Sequence, residues 1–218
     1  MEKLDFITIN TAEKPDSAII WLHGLGSDGH DFESIVPELK LPESLKLKFV
    51  FPHAPVKPVS INGGLQMRAW YDIYSPDLSA QPDKDGIDES IKQVNELIDD
   101  QISEGINSDR IILAGFSQGG VIALQLGLSR DSSLSGVIAL SCYIALENCI
   151  KPSTENMPKI FLAHGLYDDV VPFQRGDKAK ELIISKGYSP EFHQYPMGHS
   201  LHPEEIQHIS QFIQSTLL

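Results

Sequence analysis

Apolar positions follow two patterns along this chain. Short runs that are apolar at nearly every position read as strands buried on both faces. Longer stretches with apolar residues every third or fourth position read as helices. Residues 6–9 predict a first strand at an edge, and residues 17–22 a more buried strand after the turn at Pro15 and Asp16. A short helix is expected over residues 31–40 and a strand over residues 46–51, stopped by Pro52. Residues 53–81 keep no period. Their prolines, the Gly63-Gly64 pair and scattered large apolar residues predict a long irregular connection. Residues 88–104 predict an amphipathic helix with Ile87, Ile91, Val94, Ile98 and Ile102 on one face and Gly105 as its stop. Residues 110–114 form a further buried strand, and residues 120–128 an apolar helix. Two more buried strands are expected over residues 136–140 and 159–163, with an irregular surface stretch over 142–157. Pro172 opens a helix that runs to Lys186 and closes on Gly187. Residues 191–195 read as the last strand, and a final helix begins near Pro203 with Ile206, Ile209 and Phe212 or Ile213 inward. Alternating strand and helix imply an α/β fold, a mostly parallel sheet covered by helices on both faces.

Composition narrows the function classes. A chain of 218 residues fits a single domain over residues 1–218, large enough to bury its core without a disulfide or metal staple. The net charge of −13 argues against nucleic acid as a partner and against a purely electrostatic hold on anionic membranes. Cys142 and Cys149 have no metal-ligand spacing and read as free thiols of a reducing compartment. Residues 1–10 are acidic and lack the apolar centre of a signal peptide, and no apolar run is long enough to insert stably in a bilayer. The expected location is the cytoplasm.

The chemistry concentrates in Gly115-Phe116-Ser117-Gln118-Gly119, between the strand at 110–114 and the helix at 120–128. A strand that turns sharply into a helix around G-x-S-x-G is a nucleophile elbow of the α/β-hydrolase kind. The serine sits on a strained turn, so its neighbours must lack bulk. The helix N-terminus points its N–H groups to where an oxyanion forms. A serine hydroxyl needs a base, and the base needs an acid to orient it, in the chain order Ser, acid, His. Asp168 and Asp169 are the candidate acids at a strand end. His199 and His202 are the candidate bases in the last loop, ahead of His164 and His193. A second Gly-rich loop, residues 23–29, also ends a strand, where open α/β sheets bind ligands. It lacks the spacings of phosphate-binding loops, and its His23, Asp28, His30 and Asp31 fit no metal signature.

The sequence resembles the carboxylesterase, acyl-protein thioesterase and lysophospholipase family of small α/β-hydrolases over nearly its whole length. The resemblance rests on Trp21-Leu22-His23-Gly24-Leu25-Gly26, Phe51-Pro52-His53-Ala54-Pro55, Asn62-Gly63-Gly64 with Met67 and Trp70-Tyr71-Asp72, the elbow itself, His164-Gly165 with Asp168 and Val170-Val171-Pro172, and Gly198-His199. It implies Ser117 as nucleophile, Asp168 as acid, His199 as base, and an oxyanion hole from the N–H groups of Leu25 and Gln118. Asp169 and His202, beside the acid and the base, depart from many relatives. The implied substrates are acyl esters or thioesters, carried on a lipid or an acylated protein. No cofactor or metal is called for, no separate cap domain is expected, and a homodimer is allowed. An acyl chain needs an apolar groove beside the nucleophile. Residues 53–74 offer large apolar side chains among Pro and Gly, so they are expected to form its wall, with Leu65, Met67 and Trp70 in contact with substrate.

Overall fold

The computed structural model describes residues 3–75, 80–132 and 134–218. Its centre is a seven-stranded sheet in the order β1-β3-β2-β6-β7-β8-β9. The strands are β1 (Phe6–Asn10), β2 (Ser17–Leu22), β3 (Leu47–Pro52), β6 (Ile111–Phe116), β7 (Gly136–Leu140), β8 (Lys159–Gly165) and β9 (Glu191–Tyr195). Only β1 runs antiparallel, on the edge beside β3. The others are parallel, in register from Ile19 opposite Phe49 and Ile112 to Leu162 opposite Phe192. The helices are α1 (Ile35–Glu38), α2 (Lys84–Ser103), α3 (Gln118–Gly127), α4 (Phe173–Ser185) and α5 (Pro203–Leu217).

Alternation along the strands divides the apolar residues between the two faces. On one face Ala18, Ile20 and Leu22 pack with Ile87, Val94 and Ile98 of α2 and Val121 and Leu124 of α3. On the other, Ile19 and Trp21 pack with Phe32, Ile35 and Ile209, Phe212 and Ile213 of α5. The chain leaves β2 for β3 on one side and then crosses back to β6 on the other. The carboxyl ends of β2 and β6 therefore flank the point where the winding reverses, and a crevice opens there.

Several expectations are corrected. The helix expected over residues 31–40 is a 3₁₀ turn, Gly29–Phe32, followed by the single turn α1. Helix α2 begins at Lys84, ahead of the expected 88, because the Asp83 side chain caps it by accepting from Gly86 N–H at 3.0 Å. Its inward face uses Leu97, while Ile102 is exposed. Helix α3 starts two residues early, at Gln118. The stretch expected to be irregular, 53–81, contains a hairpin of β4 (Val56–Val59) and β5 (Leu65–Arg68), with Val59 opposite Leu65. Gly63 and Gly64 both take positive φ in its turn, +66° and +80°. Residues 76–79 of that stretch lie outside the described residues.

Candidate active site

Ser117 follows β6 at φ +54°, a left-handed backbone that a non-glycine residue holds only under constraint. The constraint is backbone packing. A Cβ on Gly115 would stand 2.3 Å from Gly119 O, and one on Gly119 would stand 2.4 Å from Leu22 O. Ser117 N–H donates to Leu140 O at 2.8 Å, which ties the turn to the end of β7. The Ser117 side chain is thereby left pointing off the sheet edge.

Two loops from neighbouring strand ends meet it. After β9, the loop carries His199, whose Nε2 lies 2.8 Å from Ser117 Oγ and whose Nδ1 lies 2.7 Å from Asp168 Oδ2. Asp168, after β8, has a fully buried side chain, and its Oδ1 accepts from Val170 N–H at 3.0 Å and Val171 N–H at 2.8 Å. Burial opposes its charge, yet the bonds from His199 and these N–H groups outweigh burial and hold its carboxyl below the usual range. An ionised carboxylate only accepts, so the His199 ring carries its proton on Nδ1 and leaves Nε2 to accept from the Ser117 hydroxyl.

The competing residues are placed elsewhere. Asp169 is exposed. His202 caps α5: its ring nitrogen accepts from Glu204 N–H at 3.3 Å, and its ring stacks on Tyr195. His193 pairs with Glu191 at 2.7 Å. His164 is buried behind the acid, with Nε2 2.7 Å from Val171 O. Burial lowers the pKa of His164, so the neutral ring donates and braces the loop that presents Asp168.

The loop after β2 lies across the crevice. His23 is buried and kept neutral by burial; its Nδ1 is 2.7 Å from Gly24 O and its Nε2 accepts from Ala54 N–H at 3.0 Å. Trp70 Nε1–H donates to His23 O at 2.9 Å, and Gly26 N–H to Arg68 O at 2.9 Å. The Gln118 side chain closes the circuit. Its Oε1 accepts from Trp70 N–H at 2.8 Å and its Nε2 donates to Tyr71 O at 2.7 Å. The Gln118 N–H, first in α3, has no carbonyl within the helix to bind. Leu25 N–H is likewise unpaired among the described residues. Both residues border a cavity of about 90 Å³ that opens on Ser117 and is walled by Ile61, Tyr71, Ile73, Tyr143, Val170 and Val171.

Leu65, Met67 and Trp70 do not border this cavity. Trp70 is fully buried under the loop it braces, Leu65 is 63% exposed on the hairpin, and the Met67 sulfur faces Gly26. Ile61, Ile73 and Tyr143 take the inner positions instead. Tyr143 falls in the stretch expected to be irregular surface, but it follows a buried strand at the active edge, and that position was the available signal.

Comparison with known proteins identifies the family and the fold. The model of the phospholipase/carboxylesterase family matches residues 4–217. Acyl-protein thioesterase 1 of Neurospora crassa is 39% identical, with 92% of this chain and 87% of that protein covered. Acyl-protein thioesterase 1 of Gibberella zeae is 36% identical, covering 94% and 93%. The crystal structure of Zea mays acyl-protein thioesterase 2 superposes with a TM-score of 0.85 at 27% identity over 98% of this chain and 99% of that one. With the α/β-hydrolase sheet, the serine elbow and a family match over nearly all of its length, this chain belongs to the phospholipase/carboxylesterase family of ester and thioester hydrolases.

Proposed function

We propose that the chain is a serine hydrolase that removes acyl groups from ester or thioester bonds through an acyl-enzyme on Ser117. The observation that carries this reading is His199, hydrogen-bonded at 2.8 Å to Ser117 Oγ and at 2.7 Å to Asp168. Ser117 Oγ attacks the acyl carbonyl carbon as its proton passes to His199 Nε2. The carbonyl π electrons move onto oxygen, and that oxyanion rests on the N–H groups of Leu25 and Gln118. Asp168 holds the imidazole in place and stabilises its positive charge. The imidazolium then protonates the leaving thiol or alcohol as its bond to carbon breaks. Water repeats the sequence on the acyl-enzyme, with His199 taking its proton and returning it to Ser117 Oγ as the carboxylic acid leaves. The acyl chain lies in the cavity beside Ser117, against Ile61, Ile73 and Tyr143, while Trp70 supports the loop of Leu25 through its bond to His23 O. Free Cys142 and Cys149 favour a reducing compartment such as the cytoplasm.

Labelling with a fluorophosphonate probe, followed by kinetics on matched acyl esters and thioesters, tests the reading. Wild-type protein takes the label and turns over both substrate types, and Ser117→Ala loses label and roughly 10⁴–10⁶ in rate. A folded Ser117→Ala variant that keeps a tenth of the activity refutes the assignment. Failure of the wild type to label identifies a binding protein built on a hydrolase fold.

A further inference from the structure

The cavity beside Ser117 ends at two phenols. Tyr71 and Tyr143 point their hydroxyls at each other, 3.1 Å apart, and each ring forms part of the cavity wall. Behind them lies a second cavity of about 160 Å³ that shares Tyr71, Ile73 and Tyr143 and continues past Asp72 and Ala145 to Glu147. The first cavity is apolar and small. The second is about twice as large and lined in part by charged groups. The hydroxyl pair stands at the boundary between them.

We propose that the Tyr71–Tyr143 hydroxyl pair is the end wall of the acyl cavity and sets the longest acyl chain that the enzyme turns over efficiently. This rests on the reading of Ser117 as the acylated nucleophile. A methylene that fills the apolar cavity adds about fourfold to kcat/KM. A chain long enough to reach the wall meets a different environment. It must part the hydrogen bond between the buried Tyr71 and the half-buried Tyr143, and the Tyr71 hydroxyl then loses its partner inside the protein. Leaving such a group unpaired forfeits more than one added methylene returns. Burial raises the Tyr71 pKa well above its ordinary value and also raises that of Tyr143, so both phenols stay neutral across the working range of a hydrolase. The wall is therefore uncharged and closed by its own hydrogen bond. A cavity of about 90 Å³ takes only a few methylenes, so the chain-length optimum falls among short acyl groups rather than at palmitoyl.

The test is an acyl series from acetyl to palmitoyl, as thioesters of one common thiol, run on wild type, Tyr143→Leu and Tyr143→Phe. The quantity read is the ratio of kcat/KM for octanoyl over butyryl within each protein, which cancels differences in active fraction. Wild type gives a ratio below one. Tyr143→Leu, which drops the hydroxyl and the far half of the ring and joins the two cavities, raises the ratio at least tenfold. Tyr143→Phe keeps the core filled and removes only the hydroxyl; it raises the ratio about threefold, so it decides the matter if the leucine variant does not fold. A wild type that prefers palmitoyl, or ratios unchanged in a variant that melts like wild type, overturns the end wall while leaving the Ser117 reading intact. Loss of all turnover and of fluorophosphonate labelling in the wild type defeats the Ser117 reading itself, and the end wall with it.

Discussion

Glu205→Gln makes this protein more stable above neutral pH and changes it little in mild acid. Glu205 lies in the first turn of α5, directly after the loop that holds His199, and is fully buried. One carboxylate oxygen accepts from His202 N–H at 3.0 Å, which completes the capping box of the helix, and the other, buried, has no partner among the described residues. Burial outweighs the hydrogen bond and pushes its carboxyl from the ordinary 4.5 up to about 7. The sign follows from linkage. The unfolded chain releases this proton near 4.5 and the folded protein holds it to about 7, so stability falls as pH rises through that window and stays low above it. A displacement of that size corresponds to about 3 kcal/mol at pH 8 and to under about 1 kcal/mol at pH 5. Glutamine keeps the acceptor for His202 N–H and carries no charge to bury. For a chain of this length the gain at pH 8 is a rise in Tm of about 6–12 °C, measured by calorimetry at both pH values. An equal shift at pH 5 and pH 8, or a fall at pH 8, refutes the buried-charge account.

Asp168→Asn lowers kcat by roughly 10²–10⁴ while Asp169→Asn leaves it within about twofold, since only the first orients His199. Steady-state kinetics on a butyryl ester separates the two, and the reverse ranking moves the role to Asp169. His199→Gln abolishes turnover, whereas His202→Gln loses a helix cap worth about 1 kcal/mol, seen in urea unfolding, and keeps most of kcat. Gln118→Ala retains its backbone N–H but leaves Trp70 N–H and Tyr71 O buried without partners; it lowers stability by about 2–4 kcal/mol and kcat/KM by roughly tenfold. Wild-type stability in urea with this variant removes the clamp from the account. Ile61→Asp on the cavity wall lowers kcat/KM for butyryl substrates by roughly tenfold more than for acetyl ones, and equal loss on both places the acyl site elsewhere.

Strands β2, β6, β7 and β8 were legible because each is a continuous apolar run, and a parallel strand covered on both faces has no other option. The meeting of Ser117, Asp168 and His199 was legible for a related reason, since each follows a strand whose end must lie on one edge of the sheet. The hairpin was hidden. Its strands have four residues each, most of them exposed or half-buried, and Pro58 lies within β4, so neither alternation nor β-propensity accumulates over them. The start of α2 was hidden by Gly86, which reads as a breaker until the Asp83 carboxylate is seen to bind its N–H. The cavity residues were the least legible. Ile61 sits on a single 3₁₀ turn, Ser60–Asn62, and Ile73 and Tyr143 on irregular backbone, and contacts between distant segments set their direction. Asp72 shows this: it accepts from Ser60 N–H at 2.7 Å and so fixes Ile61 and Ile73 together.

Gly119 touches Leu22 O and His23 O so closely that the serine turn and the loop of Leu25 are positioned by main chain against main chain. Mutational tolerance divides accordingly. No side chain intervenes between Gly119 and the carbonyls of Leu22 and His23, so substitutions on the cavity wall do not pass through that contact. Ile61, Ile73, Tyr143 and Val170 are free to vary in size, and substrate range drifts while the reacting geometry holds. The opposite applies at Gly119. A single methyl there separates the two loops and removes activity on every substrate alike, so laboratory evolution for new acyl groups will collect changes around the cavity and none at this glycine.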